Sequence, residues 1–86
     1  MEFEFDLEKS INNKNKHGID FYEAQILWQD PDRVEIPAKG LDEPRYLLIA
    51  AFNDKLWSAI YTYRKDKIRI ISVRRSRKNE KEIYES

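Results

Sequence analysis

Arginines crowd the one stretch of this sequence that is equipped to bind or cut a polyanion. Between Arg64 and Lys78 there are eight Lys/Arg against a single acid, Asp66. Arg64, Arg69 and Arg74 punctuate it, and Arg75, Arg77 and Lys78 close it. A guanidinium grips phosphate oxygens as a planar fork and stabilises the phosphorane formed when a ribose 2′-OH attacks its own phosphate. That chemistry requires no metal. Tyr63 and Tyr84 offer ring faces on which bases stack. His17, the single imidazole, is a candidate general acid or base, and Glu80 is a carboxylate able to activate a 2′-OH. Each also has a plainer reading. A basic strand edge deters edge-to-edge pairing, His17 can meet the last carbonyls of a helix, and Glu80 can pair with Arg77, Lys78 or Lys81. RNA contact, catalysis and a solvated edge all follow from these residues alone.

The charge is lopsided. Residues 1–54 hold six Lys/Arg and twelve Asp/Glu, a net of −6, and residues 55–86 hold ten and four, a net of +6. The total of zero hides a dipolar chain. Either the basic half meets a polyanionic partner, or the halves neutralise each other in the fold. Eighty-six residues suffice for one domain, 1–86, with room for one sheet and a few helices. The absence of cysteine excludes disulfides and thiolate metal sites, and one histidine excludes multi-His sites. Gly18 and Gly40 are the only glycines, too few for a phosphate loop. No cofactor and no metal are expected. No apolar run approaches the ~20 residues of a membrane span, and the acidic MEFEFDLEK start is unlike a signal peptide. A soluble, cytoplasmic protein is expected.

The elements that must position these residues can be read in order. Met1–Phe5 alternates and reads as a short strand or an extended lead-in. Asp6 is an N-cap, Leu7 and Ile11 share one helical face, and Gly18 is the stop. Asp20 and Glu23 form a D-x-x-E capping box for a second helix. Its apolar side carries Phe21, Ala24, Leu27 and Trp28, and it ends at Asp30-Pro31. Strands are expected at 33–36, 45–52, 56–63 and 68–73, with a loop over 37–44 and tight turns at Asn53-Asp54 and Arg64-Lys65-Asp66. Ser76 caps a last helix. The class is α+β: two N-terminal helices packed on a four-stranded antiparallel sheet, followed by a C-terminal helix, with the helices on one face. Strict alternation along 67–75 puts Arg69 on the opposite side from Arg74. Arg64 and Arg74 fall at opposite strand ends.

The ordered motifs resemble the BrnT family of toxins from bacterial type II toxin–antitoxin systems. Phe3-Glu4-Phe5-Asp6 is similar to the family's F-E-W-D. Lys16-His17-Gly18 follows, then Asp20-Phe21-Tyr22-Glu23-Ala24, similar to S-F-E-E-A, and Asp30-Pro31. Tyr61-Thr62-Tyr63-Arg64 leads to Ile68-Arg69-Ile70-Ile71-Ser72-Val73-Arg74-Arg75, similar to I-R-I-I-S-A-R, and Glu80 and Tyr84-Glu85 complete the set. Phe5 stands where the family has tryptophan, Val73 where it has alanine, and Asn79 in a stretch usually richer in arginine. The resemblance implies a RelE-like fold and a ribonuclease that arrests translation. It implies a BrnA-like ribbon-helix-helix antitoxin, with operator DNA touched only through the toxin–antitoxin complex. Arg64, Arg69 and Arg74 match basic positions of the pattern.

Two functions follow as expectations. The first is a metal-independent endoribonuclease toxin with Arg64, Arg69, Arg74, His17 and Glu80 as catalytic candidates. Arg75, Arg77, Lys78, Tyr63 and Tyr84 would contact RNA. The second is a non-catalytic module whose basic face docks an antitoxin-like partner.

Overall fold

The computed structural model describes residues 1–39 and 42–86. Gly40 and Leu41, part of the expected 37–44 loop, lie outside the described residues. The chain runs β1 (Glu2–Glu4), α1 (Leu7–His17), a 3-10 helix (Glu23–Gln29), β2 (Val34–Ala38), β3 (Arg45–Phe52), β4 (Lys55–Arg64), β5 (Lys67–Arg75) and α2 (Lys78–Glu85). One five-stranded sheet has the order β1-β5-β4-β3-β2. It is mixed: β1 lies parallel to β5, and the other pairs are antiparallel. The expected four-stranded antiparallel sheet is therefore corrected to five strands. Pairing of the N-terminal segment with a strand more than 60 residues on is set by tertiary packing, and no local turn announces it. Phe3 secures it, meeting Trp28 edge-on at 5.0 Å.

Two tight turns build the β3–β4–β5 meander. Asn53 and Asp54 have φ of 54° and 61°, and Lys65 and Asp66 have 48° and 69°. Paired left-handed residues match the twist of the flanking strands. β2 extends through Pro37, which faces Tyr46 across the pair. Proline fits there because β2 is an edge strand. β5 carries one irregularity: Ile60 pairs with Ser72, but Tyr61 pairs with Ile70. Ile71 is thus an unpaired bulge residue, and it reverses the alternation beyond it.

The second expected helix is a 3-10 helix. Its capping box is present: Asp20 Oδ1 accepts from the Glu23 N–H at 2.7 Å, and Glu23 Oε1 from the Asp20 N–H at 3.0 Å. The buried residues Phe21, Ala24 and Leu27 recur every three residues. That spacing matches the three-residue turn, in which i and i+3 eclipse. They join Trp28, Leu48, Ala50, Ala59, Tyr61, Ile70 and Val73 in the core on one sheet face. α2 packs on the other face, where Glu80 reaches Ser58 at 2.8 Å, so the helices do not share a face as expected. Ser76 binds the Ser58 hydroxyl at 2.8 Å instead of capping α2, whose N-cap is Arg77.

α1 departs most from its sequence pattern. Asp6 caps it and Gly18 ends it at φ 83° as expected, but its buried residues are Ser10 and Asn13. The Asn13 amide donates to the Val73 carbonyl at 2.9 Å and the Ile19 carbonyl at 2.7 Å, and its oxygen accepts from the Val73 N–H at 3.3 Å. β1 pairs with β5 only as far as Arg69. Beyond that point Asn13 takes the place of a neighbouring strand for Val73, since buried peptide groups require partners. Asn13→Ala leaves those groups unpaired and lowers unfolding stability by about 2–4 kcal/mol. Urea unfolding measures the change, and a loss below ~1 kcal/mol contradicts this role for Asn13.

Candidate active site

The bulge at Ile71 decides where the arginines point. Paired residues on neighbouring strands share a face. Arg64 faces Lys67, Thr62 faces Arg69, and Ser58 faces Arg74. Ser58, Thr62 and Arg64 alternate evenly along β4, so Arg64, Lys67, Arg69 and Arg74 all lie on one side of the sheet. Arg69 and Arg74 share that side only because of the extra residue, contrary to strict alternation. They do not meet at one point: six residues of β4 separate the Arg64 and Arg74 ends, about 20 Å.

Each of these cations has a carboxylate beside it. Lys67 lies 3.9 Å from Glu2, Arg69 3.6 Å from Glu4, and Arg64 3.9 Å from Glu43. The parallel β1–β5 register aligns the first two pairs. Arg74 grips Glu80 with two nitrogens, at 2.7 and 2.8 Å. Glu80, 5% exposed, also accepts from the Ser58 hydroxyl and the Arg77 N–H, both at 2.8 Å. The Arg74 guanidinium and these donors pull the Glu80 carboxyl down to about 2 and hold the Arg74 guanidinium charged. Glu2, Glu4 and Glu43 of the acidic half thus offset Lys67, Arg69 and Arg64, while Arg74 finds its carboxylate, Glu80, within the basic half itself.

The opposite face holds a different group. Across the bulge, Arg75 pairs with Trp57 and comes to the face covered by α1 and the 3-10 helix. Its guanidinium lies 5.6 Å from the centre of the Trp57 ring. Gly18 turns the chain after α1, leaving His17 at the rim while Ile19 enters the core. His17, Lys55, Trp57, Arg75 and Glu23 line one open cleft of about 280 Å³, closed at one end by the β3–β4 turn. Glu23 is already engaged by Lys14 at 2.7 Å, and that contact lowers its carboxyl below the usual range. An imidazole, a guanidinium and an ammonium therefore surround an aromatic wall, the ingredients for holding a phosphodiester beside a proton acceptor.

The family model for the ribonuclease toxin BrnT of type II toxin–antitoxin systems matches residues 5–80. The chain belongs to the BrnT family. Membership places it among ribonuclease toxins and gives it an antitoxin as partner. The matched span takes in the whole His17–Arg75 cleft and the Arg74–Glu80 pair, and leaves out β1's acids and Tyr84. The search of curated proteins returned no match.

Within this BrnT chain the remaining candidates scatter. Tyr63 is 55% exposed and sits in a three-ring cluster, 5.4 Å from Tyr46 and 5.7 Å from Tyr61. Tyr61 donates to Glu35, and burial with that contact pushes its phenol far up. Tyr84 donates to Asp30 at 2.7 Å, tying α2 to the chain before β2, and its phenol is raised to about 12. Arg77 and Lys78 are exposed at the start of α2. Two cleft residues, Lys55 and Trp57, are absent from the sequence candidates. The Asn53-Asp54 turn was the available signal, since it puts Lys55 at the mouth of the hairpin. Trp57 reads from sequence as a core residue and is one, buried in the core while it also lines the cleft.

Proposed function

We propose that this BrnT toxin cuts RNA by metal-independent transesterification in the His17–Arg75 cleft, and that cleavage arrests translation. The carrying observation is that the bulge brings Arg75 over Trp57 into the cleft that His17 and Lys55 also line. In this reading Arg75 and Lys55 hold the scissile phosphate and offset the charge that builds on its oxygens. His17 takes the proton of the 2′-OH as the O2′–P bond forms. The P–O5′ bond breaks, and the departing oxygen takes a proton from the Lys55 ammonium. The products are a 2′,3′-cyclic phosphate and a 5′-OH end. Trp57, buried in the core with its ring beneath the Arg75 guanidinium, braces that arginine from below.

The paired cations have other parts in this account. Arg64 and Arg69 give the outer sheet face a modest attraction for the RNA backbone, with Arg77, Lys78 and the ring of Tyr63. Arg74 and Glu80 hold α2 in place, so both act on the site only through the fold. The partner is a BrnA-like ribbon-helix-helix antitoxin in the cytoplasm, and operator DNA is reached through the complex. The neutralised arginines favour one rival, a non-catalytic antitoxin-binding module. Incubating the purified protein with RNA in excess EDTA separates the two. Cleavage to cyclic-phosphate ends is expected, and intact RNA at low salt would favour the module.

A further inference from the structure

α1 is turned inside out. Ser10 and Asn13 face the interior, and the Ser10 hydroxyl accepts the Phe21 N–H at 2.9 Å. Leu7 and Ile11, its large apolar residues, are 70% and 54% exposed. The fold thus holds α1 by hydrogen bonds and leaves its apolar stripe uncovered. Leu7 and Ile11 line a groove of about 260 Å³ with Phe5 and Tyr22. Tyr22, 76% exposed, also borders a neighbouring hollow of about 610 Å³ with Met1, Ile26 and Trp28. Of the seven exposed large hydrophobic residues among those described, Met1, Leu7, Ile11, Tyr22 and Ile26 line these two adjoining hollows. Apolar surface concentrated in this way marks an interaction site, where scattered single residues would not.

The charges on the patch select its occupant. Lys14 and Glu23 neutralise each other at 2.7 Å, and Asp20 is engaged by the Glu23 N–H. The patch therefore offers apolar contact and little field, in a chain where 37% of residues are charged. An RNA backbone gains nothing there, whereas an apolar protein segment does. We propose that this groove is the antitoxin's docking surface and that it takes an amphipathic helix. Leu7 and Ile11 form an i, i+4 ridge on an axis of about 16 Å, which suits a partner helix of about three turns. The inference rests on the toxin reading for the partner's identity. It also supplies a route to neutralisation. Ile11 lies about 9 Å along α1 from His17 and about 120° around its axis, so the chain that leaves the docked helix covers the cleft by wrapping the end of α1.

The test uses the full chain with its cognate antitoxin. Leu7→Glu and Ile11→Glu alter exposed positions, and circular dichroism and thermal melting check that each variant folds. Together they are expected to weaken antitoxin binding at least ~100-fold, as loss of two anchor contacts does, while RNA cleavage by the free variant stays at the wild-type rate. Binding within threefold of wild type overturns the inference. So does finding that the free protein is a dimer made monomeric by these changes, with antitoxin affinity kept, because the occupant is then a second copy. If wild type binds the antitoxin through this groove but cuts no RNA, the docking surface stands and the catalytic reading falls.

Discussion

Arg75→Ala lowers the single-turnover rate of RNA cleavage by about 100-fold or more, while the melting temperature falls by only about 2–8 °C. The rate falls because a preorganised positive group facing developing phosphate charge is worth roughly 10²–10³ in rate. Stability holds because Arg75 is exposed at the end of β5 and has no carboxylate partner among the described residues. Only its stacking on Trp57 is lost from the fold, about 0.5–1 kcal/mol at an exposed site. Arg75→Lys keeps the charge but loses the planar fork, so it restores part of the rate. His17→Ala costs roughly 10²–10⁴, the range for a positioned acid or base. Arg69→Ala, whose guanidinium is shared with Glu4 on the far face, changes the rate less than tenfold in this account. A cleavage assay on end-labelled RNA reads all four. Equal losses at Arg69 and Arg75 contradict the division between the faces.

Glu80→Ala produces the largest loss of stability, about 3 kcal/mol or more. The substitution leaves the Arg74 guanidinium without its two bonds and strips partners from Ser58 and the Arg77 N–H. Removing one member of a buried, hydrogen-bonded ion pair costs about 3–5 kcal/mol because the other charge stays behind. The pair also predicts how stability depends on pH. The Glu80 carboxyl is held at about 2 in the fold against 4.5 without its partners. Its stabilisation is therefore complete above pH 4.5 and is lost as the pH falls from there towards 2. The full span amounts to about 3 kcal/mol. Urea unfolding from pH 7 to pH 2.5 should show wild type and Glu80→Ala converging towards acid. Parallel curves contradict the assignment. Arg74→Ala is expected to destabilise similarly, and below its melting point the folded variant keeps its cleavage rate.

Local rules carried far in this chain. The Asp6 cap, the Gly18 stop, the Asp20–Glu23 box and both hairpin turns are decided by neighbours within a few residues, and they formed where the sequence places them. What escaped was non-local. β1 is three residues long and gains its place only by lying against β5. The Ile71 bulge inserts one residue into an otherwise regular alternation, and no residue type there signals it. That single residue moved Arg69 onto the side of Arg74 and sent Arg75 to the opposite one. The pattern of α1 misled for a related reason. Leu7 and Ile11 obey helical spacing, but the strand edge beside α1 demands a hydrogen-bonding side chain, and Asn13 answers it. The excess of positive charge is plain in the sequence, yet its neutralisation by Glu2 and Glu4 depends on the parallel pairing that the sequence does not announce. The family resemblance, by contrast, was legible in short motifs and spans 5–80 in the family match.

The central claim is that RNA is held and cut on the α1 side of the sheet, at His17, Lys55, Trp57 and Arg75. The most direct measurement is an NMR titration of the labelled protein with a short RNA carrying a single 2′-deoxy substitution at the cleavage position, which binds but cannot be cut. The account predicts the largest shifts at the His17 and Gly18 amides, the Lys55 amide and the Trp57 indole N–H, which donates to the Phe52 carbonyl at 3.3 Å in the free protein. Shifts confined to Arg64, Lys67, Arg69 and their carboxylate partners, with the Trp57 indole unmoved, would contradict it.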